Sequence, residues 1–118
     1  MKLITTEQHT QLLANGHAAL EAARADRDID LIPVVKLFTP GGFARYLLTE
    51  IDPTDSDRAY GLCDLGTGRP DLGYVSLREL ESVRDEFGLC VERDLNFVAD
   101  KPLSAYAEVA YTRGLIIT

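Results

Sequence analysis

The sequence predicts an α+β fold: an antiparallel sheet of four to five strands in a meander, packed by an N-terminal helix pair, a central helix and a C-terminal helix. Three observations lead there. Two capping signals, Thr5 with Gln8 and Ser76 with Glu79, each open an apolar run of helical spacing. Between them, β-branched and aromatic runs of strand length are punctuated by Pro40-Gly41-Gly42, Asp52-Pro53 and Gly66-Thr67-Gly68. Finally, Asp100-Lys101-Pro102 supplies a cap and a fixed φ ahead of a third helical run that Gly114 closes.

Leu12, Leu13, Ala18, Ala19, Leu20, Ala22 and Ala23 carry the first helical stretch, and Asn15-Gly16 interrupts it. Both residues tolerate the left-handed conformation of a helix end, so a kink or two short helices, 6–15 and 17–25, are expected. Strands are expected over 31–38 and 43–51, joined by the Pro-Gly-Gly turn as a hairpin. Residues 52–57 read as a loop, 58–65 as a third strand, 73–75 as a fourth and 89–91 as a fifth. Leu77, Leu80, Val83 and Phe87 mark one face of a central helix that Gly88 ends. Leu103, Tyr106, Ala107 and Ala110 face inward on a last helix over 102–113. With 118 residues and no repeat or linker, residues 1–118 are expected to form a single domain.

The period of two along a strand sorts the middle of the chain into faces. Phe43, Arg45, Leu47, Thr49 and Ile51 share one side of the second strand, and Tyr46, Leu48 and Glu50 the other. Gly61, Cys63 and Leu65 separate in the same way from Tyr60, Leu62 and Asp64, and Val75 from Tyr74. One sheet face is then small and apolar while the other bears Tyr46, Tyr60, Tyr74, Glu50 and Asp64. Tyrosine offers rigid apolar area and a hydroxyl together, so tyrosines set among carboxylates suit a binding surface. The competing structural reading is that helices cover both faces and the tyrosines are half-buried core.

Charge points the same way. The net charge of −7 is concentrated in residues 50–100, where thirteen acids stand against five arginines. Such a surface repels phosphates and attracts basic protein surfaces, so a basic protein partner is expected and direct nucleic-acid binding is not. No apolar run reaches bilayer length, and Met1-Lys2-Leu3-Ile4 gives way at once to polar residues, so no membrane span or secretory leader is expected. A cytoplasmic location is then expected, with Cys63 and Cys90 as reduced core residues.

Standard chemistries find few residues to use. His9, His17, Cys63 and Cys90 stand in no zinc spacing, the glycines at 66 and 68 lack the helix and lysine of a phosphate loop, and no nucleophile elbow occurs. No metal, cofactor or catalytic residue is therefore assigned. The remaining chemical candidates are Glu50, Asp52, Asp55, Asp57 and Asp64, since convergent carboxylates can share a proton or hold Mg²⁺ or Ca²⁺. Asp52, Asp55 and Asp57 lack the calcium-loop glycine and glutamate and read more simply as a solvated acidic loop. Two alternatives to the binding surface stay open: a small hydrolase or metal-dependent enzyme using Glu50 and Asp64, and a small-molecule sensor with a tyrosine-lined pocket.

Several stretches also resemble one bacterial family, catalogued as domain of unknown function 2958. They are Lys2-Leu3-Ile4-Thr5, Leu12-Leu13-Ala14-Asn15-Gly16, Val34-Val35-Lys36-Leu37-Phe38-Thr39, Leu47-Leu48-Thr49-Glu50, Ala59-Tyr60-Gly61-Leu62-Cys63-Asp64-Leu65-Gly66, Leu72-Gly73-Tyr74-Val75-Ser76-Leu77, Glu79-Leu80, Val91-Glu92-Arg93-Asp94 and Asp100-Lys101-Pro102-Leu103. The resemblance implies a small single-domain protein, often encoded on plasmids or other mobile elements, and brings no catalytic residues with it. Joined to the acidity, it implies a non-catalytic modulator or inhibitor of a host nucleic-acid-handling or defence complex, of anti-restriction or anti-CRISPR type.

Overall fold

Thr5 opens the first helix as a reciprocal cap: its hydroxyl accepts from the Gln8 N–H (3.1 Å) while the Gln8 side chain accepts from the Thr5 N–H (3.0 Å). The structure, a computed structural model, describes residues 3–118, so Met1 and Lys2 of the expected leaderless start and of the resemblance lie outside it. Helix α1, Thr6–Arg24, runs unbroken for 19 residues through Asn15-Gly16, where a kink or a pair of helices is expected from sequence. The reason is tertiary. A Cβ on Gly16 would stand 1.8 Å from the Ile51 carbonyl oxygen and 3.3 Å from Pro53 Cδ, and the Asn15 side chain donates to the Thr49 carbonyl at 2.8 Å. The two residues dock the helix on the sheet, one by being absent and one by reaching across.

Five strands form one antiparallel sheet: β1 (Val35–Phe38), β2 (Arg45–Asp52), β3 (Asp55–Asp64), β4 (Asp71–Ser76) and β5 (Glu92–Arg93), in the order β4-β3-β2-β1-β5. The first four are the expected meander, and β5 returns to lie beside β1, just after the expected 89–91 and not overlapping it. Thr39 closes the β1–β2 turn by donating its N–H to the Ala44 carbonyl and accepting the Ala44 N–H on its hydroxyl. The expected loop over 52–57 is instead a two-residue turn, Pro53-Thr54, with Asp52 paired to Asp55. Asp52 makes this possible, since one carboxylate oxygen accepts both the N–H and the hydroxyl of Thr54 at 2.8 Å.

A bulge in β2 reassigns its faces. Leu48 pairs with Gly61 and Glu50 with Tyr60, which leaves Thr49 as an extra residue. Because side chains alternate with period two, one inserted residue swaps the side of everything after it. Tyr46, Leu48 and Ile51 therefore pack together with Val35, Leu37, Ala59, Leu12 and Leu80, on the face covered by α1 and the second helix. Leu47 and Leu62 pack on the opposite face against Leu103, Tyr106, Ala107 and Ala110. The sheet is thus covered on both sides, and its central leucines are wholly buried, each worth roughly 1.5–3 kcal/mol relative to exposure.

Helix α2, Leu77–Ser82, is shorter than the expected 77–87. Its start is as predicted, with the Ser76 hydroxyl accepting from the Glu79 N–H at 3.1 Å. Its end comes early because the Asp85 carboxylate collects the N–H groups of Phe87, Leu89 and Gly41, an arrangement a continuing helix does not permit. Gly88 (φ +77°) serves that turn and not a helix end, and Val83 and Phe87 are exposed where inward positions are expected. Cys90, expected in the core, is exposed beside this turn, and Cys63 is half-buried; both thiols are unpaired.

Helix α3, Leu103–Arg113, buries Leu103, Tyr106, Ala107 and Ala110 as predicted and ends at Gly114 (φ +78°). Its cap comes from far away. Asp100 instead accepts from the Tyr106 hydroxyl at 3.0 Å, and the Asp30 carboxylate receives the N–H (3.1 Å) and hydroxyl of Ser104. Among the described residues no helix is long and apolar enough to cross a membrane.

Candidate functional site

Three of the predicted residues form a row across the sheet. Glu50 of β2 pairs with Tyr60 of β3, and Tyr60 with Tyr74 of β4. The two rings meet edge to face at 5.0 Å between centroids, a favourable aromatic geometry. The Arg58 guanidinium lies 3.8 Å from the centre of the Tyr74 ring, close enough for a cation–π contact.

The environment tunes these groups. Burial, ahead of the neighbouring Asp52, raises the Glu50 carboxyl, against a smaller lowering by the Thr49 hydroxyl. Burial also raises the Tyr60 phenol, followed by the charges of Glu50, Tyr74 and Tyr111. Tyr111 of α3 thereby joins the patch, half exposed. Sequence reasoning missed it, although its position four residues after the inward Ala107 puts it at the border of the buried helix face. Arg58 was missed for another reason: a single arginine in an acidic segment carries no sequence signal until the register sets it beside a ring.

Asp52, Asp55 and Asp57 gather at the β2–β3 end as predicted, but on a tight turn and strand. The N–H and hydroxyl of Thr54 lower the Asp52 carboxyl, which also lies 3.9 Å from Arg58. The Ser76 hydroxyl (2.5 Å) and then the Arg78 N–H (2.8 Å) lower Asp57, so this side chain fastens β3 to the start of α2. Asp55 is exposed, with one oxygen accepting from the Asp57 N–H at 3.1 Å. Only Asp55 presents its charge to solvent without also bracing another element.

Tyr46 and Asp64 do not belong to this surface. The Thr49 bulge leaves Tyr46 on the α1 side of the sheet, 5% exposed, where burial raises its phenol. Asp64 has the predicted strand parity but is 2% exposed, its oxygens accepting from the N–H groups of Gly66 (2.9 Å) and Ile116 (3.0 Å). It anchors the C-terminal segment. Glu50 faces Tyr60 while Asp64 lies four residues further along β3, so strand rise separates their backbone positions by about 13 Å. The two carboxylates do not form the pair a hydrolase would use.

A groove of about 420 Å³ runs beside β4, with Tyr46, Cys63, Tyr74, Val75, Leu80 and Val83 among its lining and Asp71 and Glu79 at its rim. Burial, with a smaller contribution from Asp71, pushes the Cys63 thiol up to about 11, which makes it a poor nucleophile. No group of three or more potential ligands occurs among the described residues to hold a metal ion. His9 and His17 are both exposed on α1.

Residues 3–117, nearly the whole chain, match the sequence model of a family described as "Protein of unknown function (DUF2958)". No curated protein and no solved structure matches the chain.

Proposed function

We propose that this chain, which belongs to the DUF2958 family of proteins of unknown function, works by binding a protein partner through an acidic, tyrosine-bearing surface and not by catalysis. The observation that carries the reading is the convergence of Glu50, Tyr60 and Tyr74, joined by Tyr111 and Arg58, beside the acids of the β2–β3 end. Rigid aromatic area within a field of carboxylates is the composition of a contact surface that prefers a basic counterpart. The partner is then a protein whose working groove is built for phosphates, such as a nucleic-acid-handling or defence complex of a bacterial host, and the protein modulates or inhibits it in the cytoplasm by occupying that groove.

The rival readings have less to stand on. A hydrolase of the predicted kind lacks its carboxylate pair, and a tyrosine-lined sensor pocket would draw on Tyr46 and Tyr74 but not Tyr60. The test is affinity capture with the tagged protein and a folded variant carrying Asp55→Lys, Tyr74→Ala and Tyr111→Ala. The expected result is a basic partner recovered by the wild type, lost by the variant and released as salt rises. Equal recovery by both proteins at all salt concentrations would remove the reading.

A further inference from the structure

We infer that the outer edge of β4 is a strand-addition site for an extended, lysine- or arginine-bearing segment of a partner protein, with the neighbouring groove taking that segment's apolar side chains. The inference rests on the proposed contact function and names the mode of contact. Among the described residues β4 is the last strand of the sheet on its side, six residues long and paired only with β3. The opposite edge, β5, has only two residues.

Edge strands usually carry protection against such pairing, as short length, lysine, proline or a bulge. β4 has an unbroken register with β3 from Asp71 to Ser76, no lysine and no internal proline. One of its outward amides is occupied locally, the Leu72 N–H donating to the carboxylate of Asp71 at 2.9 Å. A strand alternates its amide directions, so the amides of Tyr74 and Ser76 point the way that of Leu72 does. Midway along the strand, nothing lies within 4 Å of where a Gly73 Cβ would be, so the sheet face over this residue is open on the side of the groove.

The groove selects what approaches. Its lining includes the apolar Leu72, Val75 and Leu80 and the exposed acids Asp71 and Glu79, and no lysine or arginine among the described residues lines it. In a strand-added peptide alternate side chains fall on one side, so one set meets the apolar lining while flanking cations meet the two carboxylates. A second copy of this chain is the wrong occupant, because it would bring one acidic rim against another.

The experiment is an NMR titration of the full chain with a capped peptide, Lys-Thr-Val-Thr-Val-Thr-Lys, about seven residues long so as to span β4 and with its valines and both lysines on one side of the strand. The expected result is shifts and slowed amide exchange at Leu72, Tyr74 and Ser76. Binding should weaken between about 50 and 500 mM salt, fall at least ~10-fold in the Asp71→Lys, Glu79→Lys variant, and be absent for the same peptide with proline in place of valine. Shifts confined to the Asp52–Asp57 end, and equal for the proline peptide, would overturn the edge site while leaving the acidic contact reading standing. No response at β4 with millimolar peptide would overturn it as well.

Discussion

Gly16→Ala puts the packing of α1 to a test in which two effects of opposite sign compete. In an isolated helix, alanine for glycine gains about 1 kcal/mol. Here the new Cβ would begin 1.8 Å from the Ile51 carbonyl oxygen, against a closest tolerable approach near 3.0 Å, so helix and strand must part by about 1.2 Å. A gap of that size forfeits up to half of the dispersion well along the contact that buries Leu12, Leu48 and Ile51, and it stretches the 2.8 Å bond from Asn15 to the Thr49 carbonyl. Overpacking of this kind costs typically up to ~3 kcal/mol, so the net expectation is a loss of about 2 kcal/mol. For a chain of this size that is a fall in Tm of roughly 8 °C. Urea denaturation followed by circular dichroism at the helix band measures it directly. If the variant is as stable as wild type or more so, Asn15-Gly16 is a helix interruption after all and the docking account is wrong.

Other consequences can be checked alongside. Asp64→Ala leaves the Gly66 and Ile116 N–H groups without their acceptor and should cost about 3 kcal/mol in denaturant titration, with the C-terminal segment losing hydrogen-exchange protection first. Glu50 has a raised folded-state carboxyl, so its contribution to stability is fully present below the unfolded carboxylate pKa and is lost as pH rises through the folded value. Glu50→Gln should therefore raise Tm at pH 7 and lose that advantage toward pH 3, and thermal melts across this range report the trend. With its thiol near 11, Cys63 is about one part in a thousand thiolate at pH 8, so a thiol reagent should label exposed Cys90 first and Cys63 only slowly until the protein unfolds.

Local signals proved dependable where the cause was local. The Thr5 cap, the turn after Phe38, the inward face of α3 and the Gly114 end depend on residues within a few positions of each other, and all are found as read. The departures have long-range causes. Asn15-Gly16 is a stop signal in isolation and a docking pair only because the strand end at Ile51 lies beneath it. Val83 and Phe87 keep helical spacing, yet Asp85 draws the chain into a turn by bonding Gly41, 44 residues away in sequence. The site shows the same division. The row Glu50, Tyr60 and Tyr74 emerges from strand pairing across the bulge, whereas strict alternation places Tyr46 and Leu48 beside Glu50, on the wrong face. No periodicity reveals a bulge, because the extra residue is defined by the partner strand. Asp64 shows a further limit: parity gave its side of the sheet correctly, while its burial follows from a C-terminal segment 52 residues later.

On the proposed reading, the β3–β4 region is where the protein meets its partner. A hydrogen-exchange footprint of the captured complex, compared with the free protein, tests it most directly. Exchange should slow over Asp55–Tyr60 and Asp71–Ser76, with the exposed face of α1 unchanged. Protection confined to α1, or a complex whose β3 and β4 exchange as fast as in the free chain, would contradict it.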